Sequence, residues 1–543
     1  MSTSERNPWL NRRQFLMRVL AAAAAGQAVA CGSAGGGDSE GEGSSTGGEP
    51  STGTPTTGTP TTGEPAPQLP GEPFTLGIAS GDPLPDSVIL WTRLAPAPDV
   101  ADGGLPAEVF PVTWEVAADE AFTDIVASGV ADAEPKFAHS VHVDVQGLEA
   151  DTWYWYRFTI GEYTSAVGRT RTTPAPGSKP ERLRFATACC QSYIAGYYTA
   201  YQHMAKEDLD LVVFLGDYIY ENGGTGPIRS HVNPEPTDLA GYRVRHALYK
   251  GDKDLQAMHG RCPWLFIWDD HEVENNYVGD ISQDDAPLAE WLARRAAAYQ
   301  AYYEHMPLRL PPPEGPDYKM YHALQWGDLA EFWLLDTRQY RSDQNCMDKP
   351  GAGCEGWKDY DGTVLGDEQE GWLIDGLTTS AAIWKLITQQ IVFSTTNFQG
   401  SLINFDQWDG YPKARQRLLD VIATEQLENV VVISGDIHLS GLGDLAALAD
   451  DDESPVVATE IVTTSLSSAP NIPPEALESA FSGLALIKYI NARSRGYVSH
   501  ELGRELYTIR CFMVDTALEP SSGGAVDTER YIDTGVPGLR PMP

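Results

Sequence analysis

Three short apolar runs in the chain each end at an acidic residue. The runs at residues 211–215, 264–268 and 430–434 are followed by Asp217, Asp270 and Asp436. Runs of this length and composition are typical of strands that are buried on both faces of a sheet. Ligands of open α/β sheets collect at the carboxyl ends of such strands. The pattern therefore predicts one shared site at a sheet edge.

The apolar runs alternate with helix-like segments over the second part of the chain. Strands are predicted at residues 183–188, 211–215, 264–268, 332–335, 387–393 and 430–434. Helices are predicted at residues 288–303 and 413–425. This alternation predicts that residues 181–543 form an α/β domain with a layered β-sheet core flanked by helices.

The preceding segment, residues 72–176, has a different pattern. Short β-rich runs at residues 87–94, 111–116 and 140–145 are separated by turn residues. Residues 147–158 resemble a turn and strand of fibronectin type III domains. About 100 residues with this pattern suit a two-sheet sandwich. We therefore predict a fibronectin III/Ig-like β-sandwich that packs against the second domain.

The N-terminus has the features of an export signal. Arg12 and Arg13 resemble the twin-arginine motif, and the apolar run that follows at residues 19–30 is too short to span a bilayer. We therefore interpret residues 1–31 as a twin-arginine signal peptide, and expect a periplasmic, cell-surface or secreted protein.

Two processing routes are open at the end of this signal. Cys31 fits a lipobox cysteine that would be lipidated after cleavage, whereas the preceding Ala28 to Ala30 fit an ordinary cleavage site. Residues 32–71 are rich in Gly, Ser, Thr and Pro, a composition typical of an extended linker. A lipid tether would hold the folded domains off a membrane surface through this linker.

The overall charge narrows the range of partners. The formal net charge is −38 at pH 7, and such a field repels nucleic acids and other polyanions. We therefore predict no nucleic-acid-binding surface, although a locally positive metal pocket could still bind phosphate. Separately, we expect a monomer.

The seven cysteines allow several roles. Cys346 and Cys354 flank a loop with Pro and Gly residues and are a plausible disulfide in an oxidising compartment. Cys262 and Cys511 could pair across the fold, which the sequence does not decide. Cys189 and Cys190 follow a predicted strand, and a thiolate metal ligand is the favoured role there because acidic motifs follow the other strands.

Residues after two of the strands offer oxygen and nitrogen ligands together. Asp217 has two oxygens and could bridge two metal ions, and Tyr220 would lie on the same side one turn later. A phenolate suits Fe³⁺. Asp436 and His438 would point the same way from an extended segment. These four residues predict one metal centre.

The third strand end adds candidate catalytic residues. Asp270 and His271 are adjacent, so we expect their side chains to diverge, with Asp270 on the metal and His271 facing the substrate. His271 could then donate a proton to a leaving group. The neutral amide of Asn275 is a candidate for binding metal or phosphate.

The motifs together resemble PhoD-type alkaline phosphatases of the calcineurin-like metallophosphoesterase superfamily. The segments that carry the resemblance are Ala188-Cys189-Cys190-Gln191-Ser192, Gly216-Asp217-Tyr218-Ile219-Tyr220-Glu221, Trp268-Asp269-Asp270-His271-Glu272, Leu335-Asp336-Thr337-Arg338 and Ser434-Gly435-Asp436-Ile437-His438. The resemblance begins near residue 73, where 74–83 are similar to the start of the family's N-terminal sandwich, and continues in the expected order to the C-terminus.

The resemblance implies Fe³⁺ and Ca²⁺ as cofactors. It implies iron ligands at Cys190, Asp217, Tyr220 and His438, with Asp217 bridging, and a calcium side at Asp270 and Asp436. Many members of the family have Ser or Ala where this chain has Cys189, so either thiol could be the ligand, and we predict Cys190 because it precedes Gln191.

Arg338 lies in the motif that matches the family's Asp-Thr-Arg segment. Its guanidinium could clamp a substrate phosphate. It could equally form a structural pair with Asp336 or Asp343.

These features predict an exported enzyme that hydrolyses phosphate mono- or diesters at alkaline pH through metal-activated water. One alternative is a phospholipase D-like or teichoic-acid phosphodiesterase, which would differ in loops such as residues 222–260. A remote alternative is a surface binding protein with an inactive catalytic domain.

Overall fold

The computed structural model describes residues 69–345, 356–396 and 404–541. The predicted signal peptide, most of the predicted linker and the predicted Cys346–Cys354 disulfide lie outside these residues. Within the described part of the chain, no helix combines the length and apolar character needed to cross a membrane.

The N-terminal region folds as a β-sandwich around its own core. Its strands are β1 (Ile78–Leu84), β2 (Ser87–Arg93), β3 (Phe110–Ala117), β4 (Ile125–Ala133), β5 (Ser140–Gln146), β6 (Trp153–Ile160), β7 (Tyr163–Thr164) and β8 (Gly168–Arg171). One sheet contains β4, β3, β6, β7 and β8, and the facing layer contains β1, β2 and β5. In β6 buried and half-buried residues alternate, as expected for a strand with one face on a core. Tyr154 and Tyr156 belong to that core.

The β1–β2–β5 layer does not end at the sandwich. It continues a ten-stranded sheet whose order is β22-β21-β20-β19-β9-β10-β11-β1-β2-β5. The strands of this sheet that follow the sandwich are β9 (Arg182–Ala188), β10 (Leu211–Phe214), β11 (Trp264–Phe266), β19 (Arg495–Gly503), β20 (Leu506–Val514), β21 (Gly524–Asp533) and β22 (Arg540–Pro541). β1 joins β11 in parallel where Gly81 is opposite Trp264. The expected packing between the two domains is therefore a strand-to-strand junction.

A second sheet of seven strands packs on the first. Its strands are β12 (His322–Trp326), β13 (Ala330–Leu334), β14 (Trp384–Thr388), β15 (Val430–Ser434), β16 (Ser440–Ala446), β17 (Val456–Val462) and β18 (Ile487–Asn491). The core between the sheets contains Val213 and Leu265 of the first sheet and Leu386, Val431 and Ile433 of the second. Val430 and Val432 face the opposite way, into a core beneath helices, because successive side chains of a strand alternate.

Helices cover the outer face of each sheet. They are α1 (Thr199–Met204), α2 (Leu239–Lys250), α3 (Lys253–His259), α4 (Leu288–His305), α5 (Gly366–Thr379), α6 (Pro412–Thr424) and α7 (Pro474–Phe481). Helices α1 to α4 share a core with the outer face of β10 and β11. Helices α5 and α6 share one with β13 to β15. The result is a helix–sheet–sheet–helix arrangement that matches the predicted layered core.

One predicted strand was misplaced. A strand was predicted at 387–393, but the strand is Trp384–Thr388 and the chain leaves the sheet after it. The two glutamines that follow are fully buried, and their side chains bond to neighbouring backbone and side-chain groups. The Gln390 amide donates to the carbonyl oxygens of Trp268 and Leu335. The C-terminal strands β19 to β22 were not predicted at all.

The suggested pairing of Cys262 with Cys511 is wrong. Both thiols are free and buried. Cys262 lies in the core under α1 to α4. Cys511 lies in the core between the two sheets, which is on the other side of the ten-stranded sheet.

Candidate metal centre

The predicted site residues come together where four strands of the two sheets end. Cys190 follows β9, Asp217 follows β10, and Asp270 follows β11, which are neighbours in parallel in the ten-stranded sheet. Asp436 and His438 follow β15 of the second sheet. The site therefore lies at the carboxyl edge of both sheets, as the apolar runs predicted.

The backbone turns sharply at four of the predicted ligands. Cys190, Asp217, Asp436 and His438 have φ angles of 56°, 57°, 64° and 58°. Non-glycine residues adopt this left-handed region at a cost, and such residues cluster at functional sites. The prediction that Asp436 and His438 alternate in an extended segment is therefore wrong, because both occupy a tight turn.

Two glycines make these turns possible. Gly216 has a φ of +106°, and a Cβ there would lie 2.5 Å from the Cβ of Asp269. A Cβ on Gly435 would lie 2.9 Å from the Sγ of Cys189. At both glycines the end of one strand passes close to a neighbouring segment, and a residue with a side chain would not fit there.

The first group of ligand atoms joins Cys190, Asp217 and His438. One ligand atom of each lies within 4.8 Å of the others. The Tyr220 hydroxyl lies 2.8 Å from Asp217 Oδ2 and 3.0 Å from His438 Nε2. All four predicted iron ligands therefore meet at one point, and Tyr220 is on the same side as Asp217, as predicted.

The two adjacent thiols have different surroundings. The Cys189 thiol faces the carbonyl oxygens of Thr463 and Thr464, at 3.5 and 3.6 Å. Only the Cys190 thiol is grouped with Asp217 and His438. The geometry favours Cys190 as the ligand.

The orientation of His438 is fixed by backbone contacts. Its Nδ1 donates to the carbonyl oxygen of Ala469 at 3.0 Å, which leaves Nε2 unprotonated, with its lone pair directed toward the group. Arg495 donates to the carbonyl oxygen of His438 at 2.6 Å. Such contacts behind a ligating imidazole set its tautomer and direction.

The second group joins three carboxylates, those of Asp269, Asp270 and Asp436, within 4.8 Å. Asp269 was not predicted as a site residue. Burial and the neighbouring Asp270 carboxylate raise the pKa of Asp436 to about 6. Three buried carboxylates repel one another, and an oxygen-preferring cation would relieve that repulsion.

His271 lies on the same side as Asp270, contrary to the expected divergence. Ligand atoms of Asp217, Asp270 and His271 fall within 4.8 Å of one another. His271 Nδ1 donates to Glu221 Oε2 at 2.6 Å. Burial lowers the pKa of His271, but the Glu221 and Asp270 carboxylates outweigh it and raise the pKa well above its usual value.

The donor set fits a bound metal. Buried Asp217 Oδ1, Asp269 Oδ2 and Asp270 Oδ1 have no hydrogen-bond partner among the described residues. Burial also raises the pKa values of the Cys190 thiol and the Asp217 carboxyl well above their usual range. Buried acceptor atoms without partners are costly, and cations coordinated by these atoms would offset that cost.

The family of the chain follows from its sequence. Residues 185–511 match the family model of PhoD-like phosphatases, and residues 60–174 match that of the PhoD-like phosphatase N-terminal domain. The chain belongs to the PhoD-like phosphatase family. This confirms the predicted resemblance, the multidomain fold class and the predicted enzyme class.

Two known proteins are similar to this PhoD-like chain over most of its length. It is 49% identical over 416 residues to alkaline phosphatase D of Bacillus subtilis strain 168, covering 75% of this chain and 71% of the relative. It is similar to a solved structure titled "Structure of PhoD", with a TM-score of 0.84 and 43% identity. That match covers 88% of this chain and 93% of the other.

Arg338 has different partners from those suggested by the sequence. The side chain is fully buried and pairs with Asp269 and with Asp406, whose Oδ1 accepts from Nη1 at 2.9 Å. Asp336 instead accepts from the backbone N–H of Arg338 at 2.9 Å. The suggested side-chain pair with Asp336 or Asp343 is therefore wrong, and binding of substrate by Arg338 stays a prediction.

Asn275 lies at the margin of the site. Its side-chain amide donates to Gln283 Oε1 at 2.8 Å, and its backbone N–H donates to Glu221. Its role in binding substrate stays a prediction.

Two residues that support the candidate ligands, Glu272 and Ser468, were not among the predicted site residues. Glu272 is a buried carboxylate that accepts from the backbone N–H groups of Asp217, Tyr218 and Asp269, and so ties the ends of β10 and β11 together. The position of Glu272 within the matched motif was the only signal for it. Ser468 Oγ lies 2.8 Å from the Tyr220 hydroxyl and 2.9 Å from the Cys190 carbonyl oxygen.

Proposed function

We propose that this protein is a metal-dependent phosphoesterase that hydrolyses phosphate mono- or diesters at alkaline pH. The observation that carries the proposal is the convergence of a thiol, a phenol, an imidazole and several carboxylates at one buried point. The name of the Bacillus relative, alkaline phosphatase D, supports the same reaction.

We assign the two groups of ligand atoms to different metals. Cys190, Asp217, Tyr220 and His438 would hold Fe³⁺, because phenolate and thiolate donors stabilise a trivalent ion. Asp270 and Asp436, together with Asp269, would hold Ca²⁺, because hard cations prefer carboxylate oxygens. Asp217 is grouped with Cys190 and His438 and also with Asp270, which supports a role as a ligand shared by the two metals. When bound, the metals supply Lewis-acid activation of the phosphoryl group and of water.

The side chain we assign to proton transfer is His271. Glu221 accepts a hydrogen bond from Nδ1–H and fixes the ring, and the Tyr220 ring lies against it in a tilted contact with ring centroids 4.2 Å apart. A protonated imidazole held in this way could donate its other proton to the leaving oxygen. His271 would thus act on the leaving group, while Asp270 stays on the metal side.

The test uses Asp217→Ala with Asp375→Ala as the matched control, since Asp375 is an exposed acid on α5. Metal content and hydrolysis of a monoester and a diester at alkaline pH are measured on the purified protein. We expect Asp217→Ala to lose iron and turnover and the control to keep both. Wild-type activity in Asp217→Ala would refute the bridging assignment.

The substrate preference separates the remaining alternatives. A marked preference for phospholipid or teichoic-acid diesters over small monoesters would favour the narrower phosphodiesterase. A purified protein with neither metal nor turnover would favour the inactive binding protein. The presence of every predicted ligand at one point supports the enzyme over that last alternative.

We also propose export by the twin-arginine route, with the folded domains outside the cytoplasm. The sequence Asn11-Arg12-Arg13-Gln14-Phe15-Leu16 supports this proposal. Replacement of Arg12 and Arg13 by lysine should retain the protein in the cytoplasm. Mass spectrometry of the mature N-terminus would show whether Cys31 is lipidated.

A further inference from the structure

A cavity of about 560 Å³ lies between the sandwich and the catalytic domain. It opens beside the start of β1 and beside the residues that precede β11, whereas the metal centre follows the end of β11. The cavity and the metal centre are therefore at opposite edges of the sheet and share no residue. The lining residues used below are Trp155, Arg169, Lys253, Gln256 and Arg261.

Three cations line this cavity without a carboxylate partner. Among the described residues, no ion pair includes Arg169, Lys253 or Arg261, and the Lys253 ammonium bonds only to the amide oxygen of Gln256 at 3.2 Å. Most other arginines in the described part of this acidic chain have carboxylate partners. The one acid among the lining residues is Glu120, which is exposed.

Arg169 is held in place rather than free in solvent. Its guanidinium lies 3.4 Å from the centre of the Trp153 ring, and its backbone N–H donates to the carbonyl oxygen of Gly260 at 2.9 Å. That bond puts Arg169 next to Arg261. Burial and the positive charge of Arg261 lower the pKa of Arg169. Asp208, which pairs with Arg182 and Arg184, acts in the opposite direction.

The backbone positions that carry the cations are separated along α3. Lys253 begins α3 and Gly260 follows its last residue. A helix of this length separates the two positions by about 10 Å, at 1.5 Å per residue. A ligand that contacted all three side chains would need negative charge at both ends.

We propose that this cavity is a second binding site, for a small ligand with two or more phosphate groups. Guanidinium and ammonium groups bind phosphate through charge-assisted hydrogen bonds, and Trp155 offers a flat apolar surface for an organic part. A short ligand fits better than a polymer because a net charge of −38 would repel a long polyanion outside the cavity. The site goes beyond the proposed function because it contains none of the metal-centre residues.

The experiment measures binding of inorganic tripolyphosphate by calorimetry to the full chain that bears Asp217→Ala, in calcium-free buffer. That background prevents hydrolysis and removes the main competing site. We expect tripolyphosphate to bind at least tenfold more tightly than orthophosphate. Adding Arg169→Gln and Arg261→Gln should weaken tripolyphosphate binding by roughly tenfold or more, since each substitution removes a charge-assisted contact.

The matched control is Lys179→Gln with Lys413→Gln, which removes two exposed cations outside the cavity. We expect it to bind tripolyphosphate as its parent does. Arg261 is exposed, so Arg261→Gln alone keeps the test valid if the double variant does not fold. Equal binding by the parent and the cavity variants would overturn the proposal, as would no binding by the parent. Orthophosphate that bound as tightly as tripolyphosphate would refute the two-ended site.

Discussion

In the proposed metal centre, Ser468 should hold the Tyr220 phenolate. Its hydroxyl lies 2.8 Å from the Tyr220 oxygen and 2.9 Å from the Cys190 carbonyl oxygen, and it accepts from the Ser192 N–H at 3.3 Å. A metal-bound Tyr220 would be a phenolate without a proton of its own. The Ser468 hydroxyl would therefore be the donor in the hydrogen bond between them. Ser468→Ala removes this donor without adding volume.

The expected magnitude follows from these contacts. A hydrogen bond to a charged acceptor contributes about 1.5–3 kcal/mol, so the loss should weaken iron binding by roughly 10- to 100-fold. Without metal, the Ser468→Ala protein should be about 1 kcal/mol less stable than wild type, because the hydrogen bonds lost by the hydroxyl are then between neutral groups. The Cys190 carbonyl oxygen still accepts from the backbone N–H of residue 468 at 3.3 Å. The effect should therefore be on the metal far more than on the fold.

The assay compares wild type, Ser468→Ala and Ser467→Ala during dialysis against a ferric chelator. Iron content and the visible phenolate-to-iron absorption are followed together. Ser467 is the matched control because its buried hydroxyl donates to the Ser192 carbonyl oxygen at 2.9 Å on the same loop. We expect Ser468→Ala to lose iron first and its absorption band to shift, while Ser467→Ala behaves like wild type.

Two results would refute the reasoning in different ways. If Ser468→Ala kept its iron and its absorption as wild type does, the hydroxyl would have no role in holding Tyr220. If the wild-type protein contained iron but had no such absorption band, Tyr220 would not be a ligand.

Three further substitutions test other parts of the structure. The buried Lys250 ammonium lies over the Trp91 ring, 4.1 Å from its centre, and has no hydrogen-bond partner among the described residues. Lys250→Met should therefore stabilise the protein by about 1–3 kcal/mol at pH 8. Burial lowers the pKa of Lys250 in the folded state, so this lysine destabilises the folded protein at pH values below its unfolded pKa. The extra stability of Lys250→Met should therefore vanish as the pH rises past about 10.5. Arg338→Met leaves Asp269 buried without its partner and should cost about 3–5 kcal/mol in urea unfolding. Gly216→Ala should lose metal and about 1–3 kcal/mol of stability, because the methyl group would collide with Asp269.

Each of these has a control on the surface. Lys413→Met and Arg417→Met alter exposed or half-exposed cations and should change stability by less than about 0.5 kcal/mol. Gly371→Ala in α5 meets no neighbouring atom and should stabilise that helix by up to about 1 kcal/mol. A Lys250→Met protein that was less stable than wild type at pH 8 would show that the buried ammonium has a partner.

The candidate ligands could be predicted from the sequence because their types and positions are local signals. An apolar strand followed by Gly and Asp is visible in one short segment, and so Asp217 and Asp436 could be predicted. Ser468 could not, because it acts on Tyr220 from 248 residues away and its own segment has no metal-binding pattern. Asp269 could not be predicted, because the sequence does not show that two adjacent aspartates both face the site.

The direction of side chains was harder to predict than their identity. Periodicity rules assume helical or extended backbone, yet Asp436 and His438 have left-handed φ angles. Side chains of adjacent residues are likewise expected to point in different directions, yet Asp270 and His271 both face Asp217. Strained turns are common at functional sites, so the geometry of a site is the part that regular patterns describe least well.

The junction between the sandwich and the catalytic domain explains why the two are found together. β1 lies directly against β11, and β11 leads into Asp269 and Asp270. The Trp91 indole N–H also donates across the junction to the Glu304 carbonyl oxygen at 3.0 Å. Removal of the sandwich would expose the edge of β11 and its unpaired backbone groups, which favours aggregation. The sandwich therefore completes the sheet that positions the metal centre.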